Sequence, residues 1–254
     1  MSRKIIVAGN WKMNLTRVEA VALARAVAAT PASDGVEVTI FPTFPWLVPV
    51  ADAIAGTPVV LGAQNCYTEA AGAFTGEVSP AALAECCSAV LAGHSERRHV
   101  IGESNELVGR KVTAILASGL SAYLCVGETL AEREAGEAER VVFGQLSAGL
   151  GAVRAEELGR IVVAYEPVWA IGTGVAASSD DAQAMCLSVR DWLGTSFGAA
   201  GRELPVLYGG SVSPANVDEL FAQADVDGGL VGGASLAAAS FGALIEAANR
   251  AVAV

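Results

Sequence analysis

Short apolar runs alternate with longer amphipathic segments along the chain. Each run ends at a Gly, Pro, Asn, His or Glu, and a segment with helical periodicity follows most of them. This alternation is typical of βα units around a parallel sheet, whose strands are buried on both faces. The predicted strands are residues 5–9, 38–41, 59–63, 89–93, 122–126, 161–165, 206–209 and 228–231.

The segments between these strands predict the helices and the fold class. Successive strands begin about 30 residues apart, close to one βαβ unit, and no linker or composition shift interrupts the series. We therefore predict one (β/α)8 barrel domain over residues 1–254, with eight parallel strands surrounded by helices. An open, doubly wound α/β sheet would give a similar alternation and stays open at this step. The predicted helices are residues 18–29, 106–117, 131–150, 180–193, 215–222 and 236–251.

Composition and charge restrict the classes of partner. Hydrophobic residues make up 53% of the chain and charged residues 17%, which indicates a globular protein with a large core. The net charge of -11 disfavours a nucleic-acid partner, because such surfaces neutralise phosphates with Lys and Arg. A small phosphorylated substrate stays compatible, since a few local donors can hold it.

The cysteines and the N-terminal residues bear on location. Cysteines at positions 66, 86, 87, 125 and 186 include no C-x-x-C pair, so neither a disulfide framework nor a zinc site is predicted. The apolar run after Lys4 is too short for a secretory signal, and we expect a cytoplasmic protein. The uncharged stretch 228–245 approaches membrane-spanning length, but its five glycines favour a strand, a phosphate loop and a buried helix. No membrane partner is expected.

Four polar residues stand just beyond the ends of three predicted strands. Asn10 and Lys12 follow the first strand, His94 follows the fourth and Glu166 follows the sixth. Taken singly, each of the three charged or titratable residues has an ordinary explanation that is favoured: Lys12 as a solvated lysine, His94 as a core histidine and Glu166 as a salt-bridge partner. The carboxyl ends of barrel strands converge on one face, where active sites of this fold lie. The placement therefore favours a shared catalytic site.

Glycine pairs after the last three predicted strands suggest a phosphate site. Glycine lets backbone N–H groups approach an anion closely, and the last loops of this fold commonly bind phosphate. Ordinary turn chemistry is the alternative for any single pair, but three pairs at successive strand ends favour phosphate. The pairs are Gly172 with Gly174, Gly209 with Gly210, and Gly232 with Gly233.

Two patterns that suggest a cofactor or a metal are rejected. Residues 172–177 match the dinucleotide pattern G-x-G-x-x-[GA], but Pro167 separates them from the strand and no helix is predicted to start within them. His94 and His99 are five residues apart and do not share a helix face. We predict that the protein uses no cofactor and no metal.

Several stretches resemble the signature motifs of the triosephosphate isomerase family, in the family's order. The resemblance runs from the first strand to the last helix, and the eleven-residue motif around Glu166 is highly specific. Shorter matches occur at 63–65, 72–77 and 125–128. The main stretches are 10–14 (NWKMN), 93–98 (GHSERR), 164–174 (AYEPVWAIGTG), 208–212 (YGGSV) and 230–236 (LVGGASL).

This resemblance implies an isomerase of glycolysis and gluconeogenesis. The implied reaction interconverts dihydroxyacetone phosphate and D-glyceraldehyde 3-phosphate through an enediol(ate), without a cofactor. Glu166 would be the base and His94 the electrophile and proton shuttle, while Lys12 and Asn10 would polarise the substrate. Glu96 would pair with Lys12, and a short helix starting after His94 would favour a neutral imidazole.

The resemblance also implies a phosphate site and a homodimer. Backbone donors of four residues would bind the phosphate, and a loop that contains Thr75 would insert into a second copy of the chain. Mild departures from the family pattern are Ala92, where a larger apolar residue is usual, and the pair 86–87 at helix positions that are often polar. The implied phosphate-binding residues are Gly172, Ser211, Gly232 and Gly233.

Residues 167–177 are predicted to form a lid, because an enediolate phosphate exposed to water tends to eliminate phosphate. Pro167 would stiffen one hinge of this lid. Ile171 and Leu230 would press apolar surface over Glu166 and raise its basicity by desolvation. Two other functions stay open from the sequence: a different sugar-phosphate barrel enzyme, and a non-catalytic phosphate-binding barrel.

Overall fold

The strands form a closed barrel in the computed structural model, which describes residues 3–171 and 177–253. Within these ranges eight parallel strands pair in chain order, and the eighth pairs with the first. Closure confirms the predicted (β/α)8 fold and excludes the open sheet. The strands are β1 Ile5–Asn10, β2 Val36–Phe41, β3 Val60–Ala63, β4 Ala89–Ala92, β5 Ser121–Val126, β6 Ile161–Tyr165, β7 Val206–Tyr208 and β8 Gly228–Val231.

Helices surround the barrel, and several differ from the predicted ones. The single helix predicted over 131–150 is wrong: Gly136, with φ of 73°, separates two helices. The helix predicted to end at Leu193 continues beyond a break at Gly198. The helices are α1 Arg17–Ala28, α2 Leu47–Ala53, α3 Pro80–Leu83, α4 Ser95–His99, α5 Asn105–Ala117, α6 Leu130–Glu134, α7 Ala138–Leu150, α8 Ser179–Arg202, α9 Val217–Phe221 and α10 Ala238–Val252.

Alternating strand residues build two hydrophobic cores. Along β1, Ile5 and Val7 pack toward the helices, while Ile6 and Ala8 belong to the cluster inside the barrel. Successive strand side chains point to opposite faces, so each buried run supplies both cores. Gly62 leaves room for an aromatic ring, because a Cβ at this position would lie 2.2 Å from the ring of Phe41.

Capping boxes place the starts of two helices beside the barrel mouth. The Thr129 side chain accepts from the Glu132 backbone N–H at the start of α6, and Ser178 accepts from Asp181 at the start of α8. In each box the acidic side chain also accepts from the N–H of the capping residue. These caps determine where the chain turns from loop to helix at the carboxyl ends of β5 and β6.

The uncharged stretch 228–245 folds as predicted. It forms β8, a 3-10 turn over Gly233–Leu236, and the first part of α10, whose inner face is buried. Across the described ranges, no helix combines the length and the apolar character needed to cross a membrane.

Candidate active site

The carboxyl ends of the strands bring the predicted polar residues together. Asn10, Lys12, His94 and Glu166 line one cleft of about 270 Å³ at this face of the barrel. Gly172 lies outside the described residues. The rest of the cleft wall consists of Ile171, Gly209, Gly210, Ser211, Val212, Leu230, Gly232, Gly233 and Ala234.

Glu166 and His94 are in direct contact. The Nε2 atom of His94 lies 2.9 Å from Oε1 of Glu166, and the backbone N–H of Ser95 donates to Oε2 at 2.8 Å. The Glu166 side chain is only 2% exposed, and the His94 side chain is 7% exposed. Both carboxylate oxygens therefore have N–H donors, and both side chains are largely shielded from solvent.

The hydrogen bonds assign a neutral ring to His94. Its Nδ1 atom accepts from the backbone N–H of Glu96 at 3.3 Å, at the start of the short helix predicted to follow it. An accepting Nδ1 leaves the ring proton on Nε2, which donates to Glu166. Burial is the largest single influence and lowers the pKa of His94, but the charge of Glu166, its hydrogen bond to the ring and the charge of Glu96 together raise it more, so the net direction is upward while the two side chains are in contact.

The pKa of Glu166 moves opposite to the direction expected from desolvation alone. Burial raises this pKa, as the sequence predicts, but the contacts with His94 and the N–H of Ser95 lower it more, with a further contribution from the charge of Lys12. The net direction is below the ordinary carboxyl value. In this arrangement Glu166 is ionised but is not a strengthened base.

Lys12 is held in an uncommon backbone conformation. Its φ of 51° lies in the left-handed region, which non-glycine residues rarely adopt outside constrained sites. The Oδ1 of Asn10 accepts from its N–H at 3.0 Å, and Gln64 donates to its carbonyl oxygen at 2.7 Å. The Nζ of Lys12 lies 2.7 Å from Oε1 of Glu96.

Gln64 is a supporting residue that the sequence prediction missed. Its amide also donates to the carbonyl oxygen of Phe41 at 2.9 Å, which ties the end of β2 to Lys12. Gln64 directly follows β3, so the rule that marked the other strand-end residues would have identified it.

Glycines allow the chain to approach the backbone of Glu166 and the side chain of Lys12. A Cβ on Gly127 would lie 1.8 Å from the carbonyl oxygen of Glu166, so only glycine fits there. A Cβ on Gly232 would lie 3.2 Å from Cε of Lys12. The glycine-rich loop after β8 therefore lies beside the charged side chain of Lys12, and Gly233 begins a 3-10 turn in this loop.

The sequence comparisons agree with this geometry. A family model described as triosephosphate isomerase matches residues 5–248. The chain belongs to the triosephosphate isomerase family. As a member it is an isomerase, an enzyme that acts on triose phosphate, and the resemblance predicted from the motifs is confirmed.

Relatives named triosephosphate isomerase are similar over nearly their whole length. The chain is 49% identical to the protein of Roseiflexus sp. (strain RS-1) over 243 residues, which cover 94% of this chain and 95% of the relative. It is 50% identical to that of Chlorobium phaeovibrioides (strain DSM 265 / 1930) over 252 residues, which cover 98% of this chain and 100% of the relative. The chain is 48% identical to the protein of Pseudomonas entomophila (strain L48) over 250 residues, which cover 98% of this chain and 100% of the relative.

The two departures from the triosephosphate isomerase pattern lie away from the cleft lining. Ala92 is 1% exposed and ends β4. The prediction that Cys86 and Cys87 occupy helix positions is wrong, because α3 ends at Leu83 and the two thiols, 3.8 Å apart, lie in the turn that follows. Among residues 3–171 and 177–253, no three His, Cys, Asp or Glu side chains form a metal-binding cluster. That the enzyme uses no metal stays a prediction.

Proposed function

We propose that the chain, as one domain over residues 1–254, interconverts dihydroxyacetone phosphate and D-glyceraldehyde 3-phosphate without a cofactor. Glu166 is the base, His94 is the electrophile and proton shuttle, and Lys12 with Asn10 polarises the substrate. The observation that carries this proposal is the contact of 2.9 Å between His94 and Glu166, in one cleft with Lys12.

The reaction needs a base beside a carbon and donors beside an oxygen. The Glu166 carboxylate removes a proton from the carbon next to the carbonyl, and negative charge grows on the carbonyl oxygen. The Nε2–H of His94 and the ammonium of Lys12 stabilise that charge. Glu166 then returns the proton to the neighbouring carbon, while His94 moves a proton between the two oxygens. The substrate and product differ only in these proton positions.

Catalysis requires Glu166 to change partners. Both of its oxygens are bound to N–H donors, so the carboxylate has to leave His94 and Ser95 to reach a substrate carbon. When these contacts are lost, burial is the influence that remains largest, and burial raises the pKa of Glu166. The same move removes the carboxylate that raises the pKa of His94, which favours the neutral ring as the electrophile.

The proposed phosphate site is the part of the cleft formed by Ser211 and the glycines after β8. Ser211, Gly232 and Gly233 line the cleft, with Gly232 beside Lys12, and backbone N–H groups at the start of a 3-10 turn suit an anion. Gly172 is proposed to join them. Ile171 and Leu230 line the same cleft and would cover the carboxylate against water once substrate is bound.

Turnover of D-glyceraldehyde 3-phosphate tests this function directly. The purified chain is assayed after metal chelation and without nicotinamide, together with Glu166→Gln and Glu166→Asp. We expect rapid isomerisation by the wild type, collapse in Glu166→Gln, and lower turnover with nearly unchanged KM in Glu166→Asp. No turnover by folded wild type would instead support a non-catalytic phosphate-binding barrel. Full turnover in Glu166→Gln would contradict the assigned base.

A homodimer is proposed from an apolar surface beside the cleft. Met13, Val100 and Ile101 are 93%, 78% and 62% exposed, and they line a second cleft that shares Lys12 and His94 with the first. Such exposed apolar surface is typical of an interface. The loop 72–77 of a second copy, with Thr75 at its centre, would fill this cleft and support Lys12.

Light scattering after gel filtration tests the dimer. We expect a dimer for the wild type, and a monomer with reduced turnover for Ile101→Asp. Leu187→Asp, on the exposed side of α8, is the matched control and should stay dimeric. A wild-type monomer with full activity would contradict the proposed interface. Cytoplasmic location also stays a proposal, which cell fractionation would test.

A further inference from the structure

Cys86 and Cys87 are adjacent thiols that the proposed reaction does not use. Their Sγ atoms lie 3.8 Å apart in the turn between α3 and β4. Cys86 is partly exposed, whereas Cys87 is only 5% exposed and belongs to the core between the barrel and the helices. The pair therefore joins one residue at the surface to one residue in the core.

Backbone hydrogen bonds hold this turn on both sides of the pair. The carbonyl oxygen of Leu83, the last residue of α3, accepts from the N–H of Cys86 at 3.1 Å and from that of Cys87 at 2.7 Å. The next residue, Ser88, donates its N–H to the carbonyl oxygen of Leu61 on β3 at 2.8 Å. A ligand that fits the two sulfurs where they lie is therefore favoured over one that requires the backbone to move.

The distance of 3.8 Å between the two sulfurs suits a bridging atom better than a direct bond. A disulfide needs sulfurs about 2.0 Å apart and Cα atoms about 4.4–6.8 Å apart, but adjacent Cα atoms across a trans peptide are separated by only about 3.8 Å. An atom about 2.3 Å from each sulfur, with a nearly tetrahedral angle between its bonds, spans about 3.8 Å. One thiophilic atom thus fits between the thiols with little movement of the turn.

The number of sulfurs and their protonation favour trivalent arsenic over a metal ion. Within residues 3–171 and 177–253 no third His, Cys, Asp or Glu side chain completes a metal-binding group, whereas zinc normally takes at least three protein ligands. A metal ion also needs both thiols ionised, and burial raises the pKa of Cys87 well above its ordinary value. An arsenic atom that carries one organic substituent needs two further bonds and reacts with neutral thiols.

We propose that Cys86 and Cys87 form a binding site for monosubstituted trivalent arsenicals, R–As(OH)2. Two As–S bonds form and two As–O bonds break. Each thiol proton leaves with a hydroxyl group as water, and no atom changes its oxidation state. The arsenic keeps its bond to R and closes a ring through both side chains. The site precedes β4, while His94 follows the other end of that strand, so it is separate from the active-site cleft.

The other three cysteines of the chain are less suited to this reaction. Cys66 is 1% exposed, and Cys125 and Cys186 are fully buried. Burial raises the pKa of each of these thiols, to about 12 for Cys66. The adjacent pair has a further advantage, because a second bond within one molecule typically increases affinity by about 100-fold or more. We therefore expect the arsenical to select the pair.

Intact mass spectrometry of the whole chain with phenylarsine oxide tests this site. We expect the wild type to gain one phenylarsenic group and to lose two free thiols. A small dithiol should reverse the reaction, whereas a monothiol at the same concentration should not. In Cys86→Ala and in Cys87→Ala the dissociation constant should rise by roughly 100-fold, because one As–S bond replaces two.

The control is Cys186→Ala, which removes a buried thiol on α8, keeps the pair and should bind as the wild type does. Circular dichroism tests the folding of each variant, and the partly exposed Cys86 gives a usable variant if Cys87→Ala does not fold. Equal affinity in Cys86→Ala and wild type would overturn the inference. So would loss of two thiols without a phenylarsenic group, which indicates a disulfide, or folded wild type that binds nothing. The inference does not depend on the proposed function, since no turnover is measured.

Discussion

Gly209 and Glu166 are in such close contact that no larger residue fits at position 209 unless the Glu166 side chain moves. A Cβ there would lie 2.7 Å from the Cγ of Glu166 and 3.2 Å from the carbonyl oxygen of Tyr165. The N–H of Gly209 also donates to that carbonyl at 2.7 Å, which holds the two strand ends together. The backbone after β7 is therefore a wall that limits where the carboxylate of Glu166 can go.

Gly209→Ala should displace this carboxylate. We expect kcat to fall by about 100-fold, because a misplacement of about 1 Å is enough for such a loss, while the fold is retained. Steady-state kinetics measure kcat, and thermal unfolding tests whether the fold is retained. Gly144→Ala on α7 is the control, since its Cβ would meet no atom within 4 Å. Equal kcat in Gly209→Ala and wild type would refute the contact's importance.

The pH dependence of kcat/KM should reflect the contacts of Glu166 in the free enzyme. These contacts lower its pKa below the ordinary value of 4.5, and the base works only when ionised. Loss of the Glu166 charge should therefore affect activity only below pH 4.5. The same contact raises the pKa of His94 above its ordinary value of 6.5, and the electrophile must be neutral, so protonation of His94 should set the acid limb of kcat/KM at the higher pH. In Glu166→Gln this charge is gone and the ring should titrate at lower pH, which NMR of the imidazole measures. An equal His94 pKa in wild type and Glu166→Gln would contradict this prediction.

The same carboxylate contributes to stability in a definite pH range. Its folded pKa lies below the unfolded one, so the stabilisation is complete above the unfolded value and is lost as the pH falls through the folded value. Chemical denaturation at a series of pH values, for wild type and Glu166→Gln, would isolate this contribution. The variant should lose less stability on acidification than the wild type.

Lys12→Met should weaken both catalysis and phosphate binding. Removal of Nζ deletes a donor to the developing oxyanion, and such a loss typically costs about 100-fold or more in kcat. It also deletes the positive charge beside Gly232. The competitive inhibition constant of inorganic phosphate measures the second effect. Lys4→Met is the control, because Lys4 is 62% exposed and precedes β1, whose opposite end leads to the cleft. An unchanged inhibition constant in Lys12→Met would count against its phosphate role.

Arg190→Met should destabilise the fold by about 3–5 kcal/mol, because it leaves a buried carboxylate without its main partner. The guanidinium is 4% exposed and lies 2.7 Å from Asp225 and 2.6 Å from Asp227. Urea unfolding measures the effect. The control is Arg202→Met, whose pair with Asp191 is exposed and should contribute less than about 1 kcal/mol. Equal losses in the two variants would show that burial of the Arg190 pair is unimportant.

The strands were the most predictable part of the fold. Strands β6 and β8 begin and end where the apolar runs do, because a strand buried on both faces leaves an uninterrupted run in the sequence. Helix ends were less predictable. The break at Gly136 comes from a single residue with positive φ. The hydrophobic pattern of the sequence stays helical on both sides of it, so the pattern does not show the break. The short α2 lacks enough turns to show a period.

Strand-end position identified most of the site residues but not how they are supported. Gln64 and Lys12 are 52 positions apart, and only closure of the barrel brings the amide of one to the carbonyl of the other. The ion pair between Arg133 on α6 and Asp181 on α8 joins residues 48 positions apart in the same way. Neither pair has a local signature, since helical and strand periodicities describe only neighbours along the chain.

The sequence by itself determined the barrel class, the family and the polar residues at the cleft, because burial patterns and strand-end positions are local properties of the chain. Only the tertiary structure decided the state of Glu166. Its burial is readable from the sequence and raises the pKa, but the contacts with His94 and Ser95 come from another strand and reverse the direction. A pKa is a balance of opposing influences of similar size, so its sign depends on distances that exist only once the barrel has closed.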